Sequence, residues 1–80
     1  MGGMSRAAEL PSARVEADLR RRLAEGEWEP GEALPSVGKL AASYGVARNT
    51  ILKALRRLSD DGLVQVVPHW GTFRVGGPQA

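Results

Sequence analysis

The sequence predicts a mainly α domain closed by a small β-hairpin: three helices, then a two- to three-stranded antiparallel sheet. Three observations carry this expectation. Apolar residues recur at helical spacing in three windows, Val15/Leu19/Leu23, Leu40/Ala41/Tyr44 and Ile51/Ala54/Leu55/Leu58. Each window is followed by a glycine, at positions 26, 45 and 62, which is a helix stop signal. After Gly62 the pattern changes to the β-branched run Leu63–Val67 and the alternating run Thr72–Val75, separated by four residues. At 80 residues the chain is one domain, and folding buries only about 60–65% of the unfolded surface of a chain this short.

Residues 1–11, MGGMSRAAELP, are rich in Gly and Ala without periodicity and are expected to form a flexible arm. The folded domain is expected over 12–75, with 76–80 as a tail or linker. Ser12 is the expected N-cap of the first helix, with Arg20, Arg21 and Arg22 turned outward or to its flank. The segment from Gly26 to Pro35 is a turn region: Pro30-Gly31 suits a tight turn, and Ala33-Leu34 a very short strand. Trp28 is expected to pack over the first helix. Ser36 starts the second helix, whose inward residues are Leu40, Ala41 and Tyr44. The third helix is expected over Ala47–Asp61. At 100° per residue, Ala47, Ile51, Ala54, Leu55 and Leu58 share its inward arc, while Arg48, Asn49, Leu52, Lys53 and Arg56 collect on the opposite side. Residues Pro68-His69-Trp70-Gly71 form the hairpin tip.

Composition narrows the function. The chain has no cysteine, so disulfides, thiolate metal sites and cysteine nucleophiles are excluded. A single His without clustered carboxylates argues against a catalytic metal. No nucleophile–base pair stands at a sensible spacing, so no enzyme and no cofactor is expected. No apolar run reaches the roughly 18 residues of a membrane span, and the expected location is the cytoplasm. The net charge of +2 hides an asymmetry. Residues 1–33 carry five basic and seven acidic groups; residues 34–80 carry six basic groups against Asp60 and Asp61 alone. Between Glu32 and Asp60 stand Lys39, Arg48, Lys53, Arg56 and Arg57 with no acidic side chain. Such a stretch suits a polyanion, or else a solvated helix face; charge alone does not separate the two.

Two helices joined at Gly45-Val46, the second bearing a basic face, follow the logic of a helix-turn-helix. The second of such helices lies in the major groove with its N-terminal residues at the base edges. Arg48 and Asn49 stand at that terminus; Arg can bind guanine O6 and N7 in a fork, and Asn adenine N6 and N7. Thr50 offers a hydroxyl to phosphate, and Lys53 and Arg56 reach the backbone one or two turns later, with Arg57 furthest from the groove side. The hairpin is then a wing beside the minor groove or the flanking phosphates, which makes the expected fold a winged helix-turn-helix.

The runs Gly26-x-x-x-Pro30-Gly31, Leu34-Pro35-Ser36, Leu40-Ala41, Gly45-Val46-Ala47-Arg48-Asn49-Thr50-Ile51, Lys53-Ala54-Leu55-Arg56-Arg57-Leu58, Asp61-Gly62-Leu63-Val64 and Gly71-Thr72-Phe73 resemble the winged-helix domain of the GntR family of bacterial transcription regulators. The resemblance covers roughly residues 13–75 in order and spacing. It implies sequence-specific binding of double-stranded, palindromic operator DNA, commonly as a homodimer on DNA, and repression by occupancy. In most members the effector and dimer functions belong to a further C-terminal domain, so no small-molecule effector site is expected within these residues. The chain is read either as the DNA-binding part of such a regulator or as a short member resembling plasmid transfer repressors. By the same resemblance Arg48 is the base-reading Arg, Asn49 and Thr50 are DNA contacts, and Gly71 and Thr72 belong to the wing. Ser36, Lys39, Ala47, Leu52, Lys53, Arg56, His69 and Trp70 complete the expected interface.

Four positions depart from the family pattern. Gly38 stands where many members carry a DNA-contacting Arg. Lys39 replaces the Glu that completes a capping box with Ser36; it opposes the helix dipole unless a phosphate docks there. Leu52 replaces a base-reading Arg and can pack on a thymine methyl. His69-Trp70 replaces a Gly-basic pair at the wing tip, so Trp70 is expected over a sugar-phosphate edge rather than in the minor groove. The alternative from another class is a protein-interaction module anchored by Leu52 and Trp70.

Overall fold

The computed structural model describes residues 10–76. Helix α1 spans Pro11–Ala24, α2 Val37–Tyr44 and α3 Arg48–Asp60; strands β1, Val64–Val67, and β2, Gly71–Arg74, follow. The expected flexibility of the arm and tail falls largely on residues outside that range.

The start of α1 differs from the expectation. The N-cap is Leu10, Pro11 occupies the first helical turn, and Ser12 lies inside the helix, so Ser12 caps nothing. Proline explains the shift: its fixed φ is preset for the first helical position, and its missing N–H needs no cap. The expected N-cap at Ser36 is present, and its hydroxyl accepts the Lys39 N–H at 3.2 Å. Helix α2 ends on Gly45, whose φ of 69° is left-handed. The Val46 N–H then bonds back to Ala41 O at 3.0 Å, the Schellman arrangement that turns the chain sharply into α3. Ala47 is the other correction to the helices. It is the extended N-cap of α3, with ψ 156°, and it is exposed rather than inward. Helical periodicity does not apply to a residue whose own dihedrals are not helical.

The core is the one the periodicity marks. Val15, Leu19 and Leu23 of α1 pack with Leu40 and Ala41 of α2 and with Ile51, Ala54, Leu55 and Leu58 of α3; Trp28, Leu34 and Val64 close it. The most extensive helix contact is α1 on α3, which leaves the opposite face of α3 uncovered. Trp28 is buried, as expected, and the Arg22 guanidinium lies 4.8 Å from its ring centroid. Tyr44 is half-buried at the edge of the core. Its hydroxyl donates to Asp18 at 2.6 Å and accepts from Arg22 at 2.9 Å. That donated bond, with Arg21 beside it, holds the Asp18 carboxyl below the usual carboxylate range.

The hairpin pairs Val64 with Arg74, Gln65 with Phe73, Val66 with Thr72 and Val67 with Gly71, so the tip is the three residues Pro68, His69 and Trp70. Trp70 N–H bonds to Val67 O at 3.0 Å, with Pro68 and His69 at the central positions of the turn. His69 has φ 70°, the left-handed conformation that this turn asks of its third residue and that suits glycine best. The expected third strand is reduced to a single β-bridge beside the two-stranded sheet. Ala33 bridges Phe73, Leu34 N–H bonds to Thr72 O at 2.8 Å and Arg74 N–H to Glu32 O at 2.9 Å, so β2 lies between β1 and residues 32–34. A further correction concerns Thr72, which is only 5% exposed, so its side chain is not presented at the surface.

Candidate nucleic-acid interface

The expected contact residues come from three places. Ser36 and Lys39 stand exposed at the start of α2. Ala47, Arg48, Asn49, Leu52, Lys53 and Arg56 are exposed on the turn and outer face of α3, and Thr50 is half-buried between them and the core. His69, Trp70 and Gly71 are exposed at the wing, where Trp70 is 79% accessible. The Schellman turn brings the starts of α2 and α3 together. A Cβ added at Gly38 would lie 3.3 Å from Arg48 Nη1.

Charge pairing separates the run Arg20, Arg21 and Arg22 on α1, where only Arg14 lacks a side-chain partner among the described residues, from the α2–α3 side. The three arginines in sequence on α1 are all engaged. Arg20 bonds Glu16 at 2.7 Å and Asp61; Arg21 bonds Asp18 at 2.6 Å and Glu25 at 3.0 Å; Arg22 holds Glu27 through both of its carboxylate oxygens. Among the described residues, Lys39, Arg48, Lys53, Arg56 and Arg57 form no side-chain ion pair or hydrogen bond, so their donors are open to an external anion. Neither α2 nor α3 carries an acidic residue in its first turn, and α3 has no side-chain cap. Two positive helix ends and four of these cations, Lys39, Arg48, Lys53 and Arg56, therefore share the α2–α3 side.

An open groove of about 600 Å³ runs between α3 and the wing, lined by Asn49, Leu52, Lys53, Leu55, Arg56, Ser59, Asp60 and Val66. It unites four of the expected contacts, and Leu52 and Val66, each 45% exposed, give it an apolar floor. The wing tip does not line it. Arg57 instead faces the start of α1, with Ser12, Ala13 and Glu16. Val66 has no signal in the sequence: Val64 and Val66 flank Gln65 on the same side of the strand, and nothing local tells which of the two valines stays in water. The contact between Gly38 and Arg48 also has no signal in either residue alone.

Lys39 offers a direct check of the interface. Lys39→Glu completes the capping box with Ser36 and complements the α2 dipole, so the free domain gains about 0.3–1 kcal/mol in thermal unfolding. DNA affinity falls by roughly five- to tenfold, and the salt slope of binding drops by about one. A variant with unchanged affinity removes Lys39 from the interface.

This is a winged helix-turn-helix: a tight α2–turn–α3 corner, a basic outer helix face and a C-terminal hairpin. The family model for bacterial regulatory proteins of the gntR family matches residues 11–73, and the chain belongs to that family. It is 37% identical over 60 residues to the histidine utilization repressor of Klebsiella aerogenes, covering 75% of this chain and 25% of that protein. It is 56% identical over 41 residues to the HTH-type transcriptional regulator Mce2R of Mycobacterium tuberculosis, covering 51% of this chain and 17% of that one. The chain thus spans less than a third of the length of these curated relatives. Among solved structures, the AraR DNA-binding domain in complex with operator ORX1 superposes with TM-score 0.83 at 29% identity, over 94% of this chain and 90% of that one. The same domain with operator ORE1 gives TM-score 0.81 at 30% identity, over 82% and 80%.

Proposed function

We propose that this chain binds operator DNA in a sequence-specific manner and represses transcription by occupying the site. Helix α3 enters the major groove, with Arg48 and Asn49 on base edges and Leu52 against a thymine methyl. Ser36, Lys39, Thr50, Lys53 and Arg56 hold the phosphates, and the wing tip, His69-Trp70-Gly71, lies along the flanking sugar-phosphate edge. Two copies occupy the half-sites of a palindrome, and the work is done without catalysis, at the chromosome in the cytoplasm. The observation that carries this reading is the set of unpaired cations on α2 and α3, where Lys39, Arg48, Lys53 and Arg56 have no partner among the described residues, while Arg20, Arg21 and Arg22 of α1 are all paired. The relatives named as repressors and the operator complexes of AraR support it.

The test is the salt dependence of binding to a duplex selected from a randomised pool. With three to five phosphate-bound cations, log K falls with a slope of about −3 to −4.5 against log salt, or roughly 60- to 500-fold between 50 and 200 mM. In a Trp28→Phe background, which leaves Trp70 as the sole indole, the emission of Trp70 changes in the same titration. A flat salt response, or no duplex bound at all, transfers the function to the second reading. That reading is a protein partner seated on Leu52 and Trp70, and the exposure of both side chains favours it.

A further inference from the structure

Gly38 is the second residue of α2 and Arg48 the first of α3, and they lie against each other across the helix-turn-helix corner. The backbone does not require a glycine at 38. Its φ is outside the left-handed region that Gly45 occupies, and a glycine within a helix is disfavoured against alanine. What the glycine provides is space. A Cβ there would stand 3.3 Å from Arg48 Nη1, tighter than most such contacts, so the guanidinium would have to give by a few tenths of an ångström. Nothing attractive fixes the guanidinium at that place. Among the described residues Arg48 has no ion pair or hydrogen bond, and the start of α2 is the positive end of its dipole. The room left at position 38 therefore permits the Arg48 fork to lie across the start of α2.

We propose that Gly38 is a specificity-determining residue: by presenting no side chain, it lets the Arg48 guanidinium lie across the start of α2 and sets the direction from which it meets a base. The inference rests on the operator-binding reading. A bidentate contact supplies roughly 5- to 150-fold discrimination only when both N–H groups align with the base, so a small displacement of the fork erodes preference before it erodes overall affinity.

The experiment is a double-mutant cycle of wild type, Gly38→Ala, Arg48→Ala and the double variant. Each binds a selected duplex, its single-base substitutions and a scrambled duplex, and thermal unfolding is followed alongside. Gly38→Ala is expected to lower the preference at the base position that Arg48→Ala identifies by roughly three- to tenfold. Affinity for the scrambled duplex stays unchanged, and Tm rises by about 2–5 °C because a helical glycine has been removed. In the Arg48→Ala background the same substitution leaves base preference where it was. Equal preference in wild type and Gly38→Ala overturns the proposal. A shift that persists without Arg48 also overturns it, since position 38 then acts on the DNA itself. A wild-type chain that prefers no duplex fails one step earlier and takes the operator-binding reading with it.

Discussion

Arg48→Ala is expected to remove most of the operator preference and leave the domain folded. Arg48 is exposed at the first position of α3 and has no partner among the described residues, so its loss leaves no buried group unsatisfied. Stability should change by no more than about 0.5 kcal/mol, in the favourable direction if at all, because a cation leaves the positive end of α3. Base discrimination falls by about 1–3 kcal/mol, the usual value of a bidentate Arg–guanine pair. Non-specific affinity is expected to persist, because Lys39, Lys53 and Arg56 remain exposed and unpaired among the described residues, and the salt slope to decrease by about one at most. Anisotropy titrations with a selected and a scrambled duplex measure this ratio. If it is the same in variant and wild type, Arg48 does not read a base.

Leu19→Ala produces the largest expected loss of stability. Leu19 is 0% exposed at the middle of α1, in the helix pair that carries the largest contact of the fold. Truncating a fully buried leucine costs about 2–5 kcal/mol through lost transfer energy and the cavity left behind. A domain this small has only about 5 kcal/mol to lose, so Tm should fall by roughly 10–25 °C. Leu52→Ala is the control: at 45% exposed on α3, it should stay within about 0.5 kcal/mol of wild type in stability and act on binding instead. A Leu19→Ala domain that melts within about 3 °C of wild type contradicts the packing of α1 on α3.

The two substitutions separate what a sequence can show from what it cannot. Leu19, Ile51, Leu55 and Leu58 were legible as core because burial of a helix face has a period, and a period survives without coordinates. The stops at Gly45 and Gly62 and the cap at Ser36 were legible because each follows from one residue's own backbone preference or hydrogen-bonding group. So was the outer face of α3, as the complement of its inner one. The expected errors sit where local rules compete or end. Proline displaced Ser12 from the cap, Ala47 left the helical wheel by being the cap, and Thr72 was buried where β2 meets a segment distant in the chain.

By itself, the sequence determined the three helices, the hairpin, most of the helical residues of the core and the charge asymmetry between the two halves of the chain. These depend on composition and on spacings of a few residues. Only the tertiary structure decided which cations are free. Arg20 finds Asp61 at the C-terminal end of α3, and Arg22 finds Tyr44 on another helix, while among the described residues Lys39, Arg48, Lys53 and Arg56 find nothing. It also decided that Val66 joins Leu52 in one groove and that Gly38 makes room for Arg48. Pairing, exposure and clearance are properties of distances between segments far apart in the chain, and no local pattern encodes them.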